Sequence, residues 1–76
     1  MKYYDVWNAE TGNLVASYRS EAEALELVRA TIHAYGIDSV SGWSLLWGDD
    51  MDDDAGGLIA EGAALADFAV TSARVA

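Results

Sequence analysis

The sequence predicts an α+β domain of order β-β-α-β-β-α, with one four-stranded, mostly antiparallel sheet and its helices on one face. Three observations predict it. Two runs of alternating large and polar side chains flank turn chemistry at residues 9–13. A helix with a cap at each end follows. A second pair of apolar runs then brackets a stretch rich in aspartate and glycine.

Residues 2–8, KYYDVWN, alternate in size and polarity and are rich in aromatics, which is the pattern of a half-buried strand. Ala9-Glu10-Thr11-Gly12-Asn13 supplies a turn, and Leu14 to Tyr18 alternates again, so the two runs form a β-hairpin. Parity suggests a register in which Tyr4 and Val6 face one way with Leu14, Ala16 and Tyr18. Tyr3, Asp5 and Trp7 then face the other way with Val15 and Ser17. Ser20 opens a helix over residues 20–35. Its hydroxyl can cap the first turn while Glu23 reaches back, and Glu21 and Glu23 sit near the positive end of the helix dipole. Leu25, Val28, Ile32 and Tyr35 make one apolar stripe, and Gly36 follows at the place where helices end.

Ile37 to Ser41 reads as a connection. Trp43, Leu45 and Trp47 alternate between Gly42 and Gly48, which argues a third strand rather than a helix. Asp49 to Asp54 reads as an acidic hairpin loop closing on Ala55-Gly56-Gly57, before a short fourth strand, Leu58-Ile59-Ala60-Glu61. From Gly62 the chain is rich in alanine and leucine. Leu65, Phe68, Ala69 and Ser72 share one face of an expected second helix, and residues 72–76 are expected to fray. With no proline, repeat or linker, residues 1–76 form one domain.

Several of these segments resemble a known type. Tyr4-x-Val6, Thr11 to Tyr18, the Ser20-Glu21-Ala22-Glu23-Ala24-Leu25-x-x-Val28 helix start and the closing Leu58-Ile59-Ala60-Glu61-Gly62 are similar to small bacterial ββαββ proteins of unassigned function. That resemblance implies a fold and carries no catalytic residue. A fainter likeness is to HicB-type antitoxins, whose hairpin is also followed by a helix beginning Glu-Glu-Ala. Those proteins place a third strand before that helix, and this chain does not.

Composition bounds the function. Thirteen acidic residues stand against Lys2, Arg19, Arg29 and Arg74, for a net charge of −9. Neutralising a nucleic-acid backbone takes clustered Lys and Arg, so direct nucleic-acid binding is not expected. A basic protein partner is the complementary choice. The chain lacks cysteine, which removes disulfides, thiolate nucleophiles and cysteine-held zinc. No apolar run approaches the ~18 residues of a membrane span. Met1-Lys2-Tyr3-Tyr4-Asp5 lacks the features of an export signal, which favours the cytoplasm.

The inventory does not point to an enzyme. His33 is the only histidine and falls on the flank of the helical stripe, with no nucleophile or second ligand placed beside it. No phosphate-cradling glycine loop or nucleophile elbow is present, so no catalytic residue and no cofactor are assigned. Two interaction readings stand. In one, the sheet face opposite the helices offers Tyr3, Trp7, Val15 and Leu46 to a second copy of the chain or to a basic partner. In the other, Asp50, Asp52, Asp54 and Glu61 fall at positions one, three, five and twelve of a calcium-loop pattern. Ala55 and Gly57 depart from that pattern, so any calcium binding would be weak. The overall expectation is a non-catalytic interaction module, antitoxin-like or regulatory, that forms a homodimer or binds a basic partner.

Overall fold

The structure, a computed structural model, describes residues 1–72, and of Asp53 the backbone alone. The elements are β1 (Lys2–Asn8), β2 (Asn13–Tyr18), α1 (Glu21–Tyr35), a 3₁₀ turn (Ile37–Val40), β3 (Trp43–Asp49), β4 (Asp52–Glu61) and α2 (Gly62–Ser72). The strands form one antiparallel sheet of order β2-β1-β3-β4, so the two hairpins join edge to edge through β1 and β3. The α+β fold with β-β-α-β-β-α order is as the sequence predicts. The expected fraying of the tail falls, from residue 73 onward, outside the described residues.

Helix α1 starts where Ser20 leaves extended geometry. The Ser20 Oγ accepts the Glu23 backbone N–H at 3.2 Å and donates to Glu23 Oε1 at 3.1 Å. Such a cap is worth about 1 kcal/mol. At the other end the Gly36 N–H donates to the Ile32 carbonyl at 2.8 Å. Ala24, Leu25 and Val28 are buried beneath the helix, against Val6 of β1 and Leu45 of β3. Helix α2 adds Leu65, Ala66 and Ala69 to the same core. Burying a leucine or valine fully stabilises by about 1.5–3 kcal/mol, so a handful of such side chains carries most of this small core. α1 packs over β1 and β2, α2 over β3 and β4, and the Arg29 guanidinium links the helices by donating to the Ala69 carbonyl at 3.0 Å.

Four features differ from the sequence reading. Tyr35, expected on the apolar stripe of α1, is 81% exposed at the end of the helix. The connection at residues 37–40 is a 3₁₀ turn, and its Val40 is fully buried in the core. At the first hairpin, Trp7 pairs with Leu14 while Val6 pairs with Ala16, so Val15 is an unpartnered bulge. That extra residue reverses the parity of the strand, and Leu14 joins Trp7 instead of Val6.

The largest difference is at the acidic run, which is not a hairpin loop. Asp49 pairs with Asp52 across a two-residue turn, and β4 runs from Asp52 rather than from Leu58. Gly48 pairs with Gly56, so residues 53–55 are accommodated as a bulge. Several contacts pin the turn. The N-terminal ammonium meets Asp49 Oδ1 at 3.1 Å, the Asp50 N–H donates to the Met1 carbonyl at 3.0 Å, and Arg19 pairs with Asp50. Gly56 marks where the ladder resumes. Its φ is +147°, and a Cβ there would lie 2.7 Å from the Trp47 carbonyl oxygen.

Candidate interaction surface

The strand register sorts every sheet residue to one side or the other. On the side away from the helices, three rows cross the sheet. Leu14, Trp7, Ser44 and Glu61 form the first, Ser17, Asp5, Leu46 and Leu58 the second, and Tyr3, Gly48 and Gly56 the third. Tyr3 lies directly over Gly48: a Cβ on that glycine would stand 2.3 Å from the tyrosine hydroxyl. The glycine thus lets an aromatic ring lie flat on the sheet.

No element among the described residues covers this face, because both helices occupy the other one. The molecule is correspondingly a slab, 36 × 32 × 16 Å. Trp7 is 36% exposed, Leu14 48%, Val15 39% and Leu58 52%. Exposed apolar side chains gathered on one side of a monomer often mark a functional surface.

The face is not purely apolar. Asp5 stands at its centre, where Ser17 Oγ donates to its Oδ1 at 2.6 Å. Toward the start of β1 the surface sinks into a hollow of about 600 Å³, with Tyr3, Asp5, Arg19, Glu23 and Asp50 among its walls. Three carboxylates there face one guanidinium, and that guanidinium is already paired with Asp50 at 2.5 Å. The hollow therefore carries a negative balance beside an aromatic floor. Such a setting suits a cationic side chain, which gains from carboxylates and from ring faces together. The chain already makes one contact of this type elsewhere: Lys2 Nζ sits 5.2 Å from the centre of the Trp47 ring.

Of the four residues expected at this surface, Tyr3, Trp7 and Leu46 lie on the open face by register, with Tyr3 and Leu46 half-buried. Val15 is exposed at the bulge. Leu14 and Leu58 are additions. The bulge at Val15 conceals the first. The second is visible only once Leu46 is known to pair with Leu58, past a second bulge at Ile59.

The calcium-loop residues do not come together. Asp50 is held by Arg19, and Asp52 Oδ1 accepts the Asp54 N–H at 3.1 Å. Glu61 pairs with Ser44 while Asp52 pairs with Asp49, five strand positions away, which is roughly 17 Å along the sheet. The physical reason is the strand itself: a coordinating loop must curl, and β4 is extended. Among the described residues, no group of three His, Asp or Glu side chains is placed to hold a metal ion. His33 is exposed in the last turn of α1.

At the turn, the Met51 N–H and then the N-terminal ammonium hold the Asp49 carboxyl below its ordinary value, with burial opposing them. No helix among the described residues is long and apolar enough to cross a membrane. Compared with protein-family models, with curated proteins and with solved structures, the chain matches none.

Proposed function

We propose that this chain is a non-catalytic interaction module whose open sheet face receives a basic, partly apolar segment of another protein. One observation carries the reading: the uncovered aromatic face leads directly into a hollow walled by Asp5, Glu23 and Asp50. An arginine or lysine of the partner occupies the hollow, and its neighbouring apolar side chains lie across Trp7, Leu14 and Leu58. The net charge of −9 steers such a partner toward the surface from a distance. A regulatory or antitoxin-like role follows. A compact acidic slab can occupy the basic groove with which a toxin or nuclease grips nucleic acid. The module itself makes no direct contact with nucleic acid, works in the cytoplasm and needs no cofactor.

The test is a titration of isotope-labelled protein with a synthetic peptide of alternating arginine and leucine, followed residue by residue by NMR. It is run at about 0.01 M and about 1 M salt, between which the screening length falls from about 30 to about 3 Å. The expected shifts cluster at Tyr3, Asp5, Trp7 and Leu46 and shrink at high salt, and Trp7→Ser and Asp5→Asn each weaken binding. Shifts spread evenly over all acidic residues, indifferent to both substitutions, would show plain charge attraction and sink the proposal.

A further inference from the structure

The two margins of the sheet are chemically unlike. β4, at one edge, carries Asp52, Asp54 and Glu61 and is interrupted by two bulges against β3. Charges and bulges of this kind keep an edge strand from pairing with another chain. β2, at the other edge, reads Asn13-Leu14-Val15-Ala16-Ser17-Tyr18, without a charged residue or a proline. After its single bulge at Val15, residues 16–18 run in regular register. Along β2 the outward-pointing N–H and C=O groups have no neighbouring strand among the described residues. Beside that margin lies a groove of about 450 Å³, lined by Tyr18, Ala22, Leu27 and Ala30, with Glu23 and Glu26 also bordering it.

We infer that a second copy of this chain occupies the margin. β2 of one copy pairs antiparallel with β2 of the other about a twofold axis, which makes one eight-stranded sheet. The small side chains Ala22 and Ala30 let the two α1 flanks close together, with Leu27 between them. Charge decides between this occupant and a basic one. In a chain of net charge −9, β2 is a neutral stretch. Glu26 is already paired with Arg29 at 2.7 Å, which leaves Glu23 as the one carboxylate bordering the groove without a basic partner among the described residues. The aspartates of β4 lie three strand spacings away, about 14 Å, and on the outer side of each copy. A like-charged copy therefore meets less repulsion here than along β4, and Trp7, Asp5 and Leu46 on the open face stay free, although Tyr18 and Glu23 border both the groove and the hollow.

Salt separates the two interactions. Binding of a basic segment weakens as salt rises, whereas pairing of two acidic copies strengthens, because the residual repulsion is screened. The experiment is sedimentation equilibrium at about 0.01 M and about 1 M salt up to about 1 mM protein, together with amide hydrogen exchange at low and high protein concentration. A dimer that tightens with salt is expected, with slowed exchange at residues 15–18 in the concentrated sample. The double variant Ala22→Glu/Ala30→Glu, at two exposed helix positions, is expected to weaken the dimer by about tenfold or more with an unchanged circular dichroism spectrum. Trp7→Ser is expected to leave it intact. A monomer at every concentration and salt would overturn the inference. So would a dimer whose β2 amides gain no protection, or one that Trp7→Ser dissolves.

Discussion

Replacing Gly56 with alanine tests the most consequential departure from the sequence reading, that the acidic segment is part of the sheet. Gly56 has φ +147°, a conformation that costs a residue with a side chain about 1–3 kcal/mol. The added Cβ would stand 2.7 Å from the Trp47 carbonyl oxygen, an overlap with backbone that no rotamer change relieves. Forcing β3 and β4 apart adds a further 1–3 kcal/mol, by analogy with an overpacked core, at about that scale. The stiffer unfolded chain offsets about 0.4–1 kcal/mol. The net expectation is a loss of about 2–4 kcal/mol. A domain of this size unfolds with only about 4–11 kcal/mol, so the loss lowers the melting temperature by about 10–25 °C. Gly57→Ala is the internal control, because a Cβ there would sit 3.9 Å from Trp47 Nε1, an ordinary contact. Urea and thermal unfolding of the two variants, followed by far-ultraviolet circular dichroism, give the comparison. If both substitutions are neutral or slightly stabilising, as in a flexible loop, the bulged-strand description of residues 52–57 is wrong.

Two further outcomes are expected. Ser20→Ala removes the oxygen that accepts the Glu23 N–H, so urea unfolding is expected to show a loss of about 1 kcal/mol; no measurable loss would deny the cap its role. Asp49 has a folded-state pKa below its ordinary 3.8, so its carboxylate stabilises the fold above that value, and the contribution disappears as pH falls through the lower folded value. Asp49→Asn keeps an acceptor for the Met51 N–H but loses the charge. The stability gap between parent and variant is therefore expected to be open at neutral pH and to close under strong acid, and a gap that is constant with pH would contradict the assignment.

What the sequence reveals about this fold is what short-range chemistry controls. Ser20, Gly36 and the Leu25–Val28–Ile32 spacing specify α1 within a window of seventeen residues, and the structure follows them. Alternation of Trp43, Leu45 and Trp47 is likewise enough for β3, whose other edge is held by β1. The acidic segment was illegible for the opposite reason. Read locally, five aspartates in six positions argue a solvated loop. Two of them are held by distant groups that no local window contains: the N-terminal ammonium on Asp49, 48 residues away in sequence, and Arg19 on Asp50, 31 away, pin the turn from which β4 starts. The calcium-like spacing presumes a curled chain, whereas β4 is extended and holds Asp52 and Glu61 at its two ends. On the open face, Tyr3, Trp7 and Leu46 followed from parity, while Leu14 was hidden by a one-residue bulge that leaves no clear mark in the sequence. Val40 was missed because a four-residue turn is too short to show a period.

The strand order β2-β1-β3-β4 also sets a limit on growth. Among the described strands β2 alone is an edge without charged residues, and a pair joined there would use up that edge in both copies. What then faces outward at either end is the bulged, carboxylate-bearing β4, which repels any third comer. An assembly built on β2, as inferred above, would therefore stop at a closed pair instead of extending into a fibre, although every copy carries an exposed tryptophan and an open sheet.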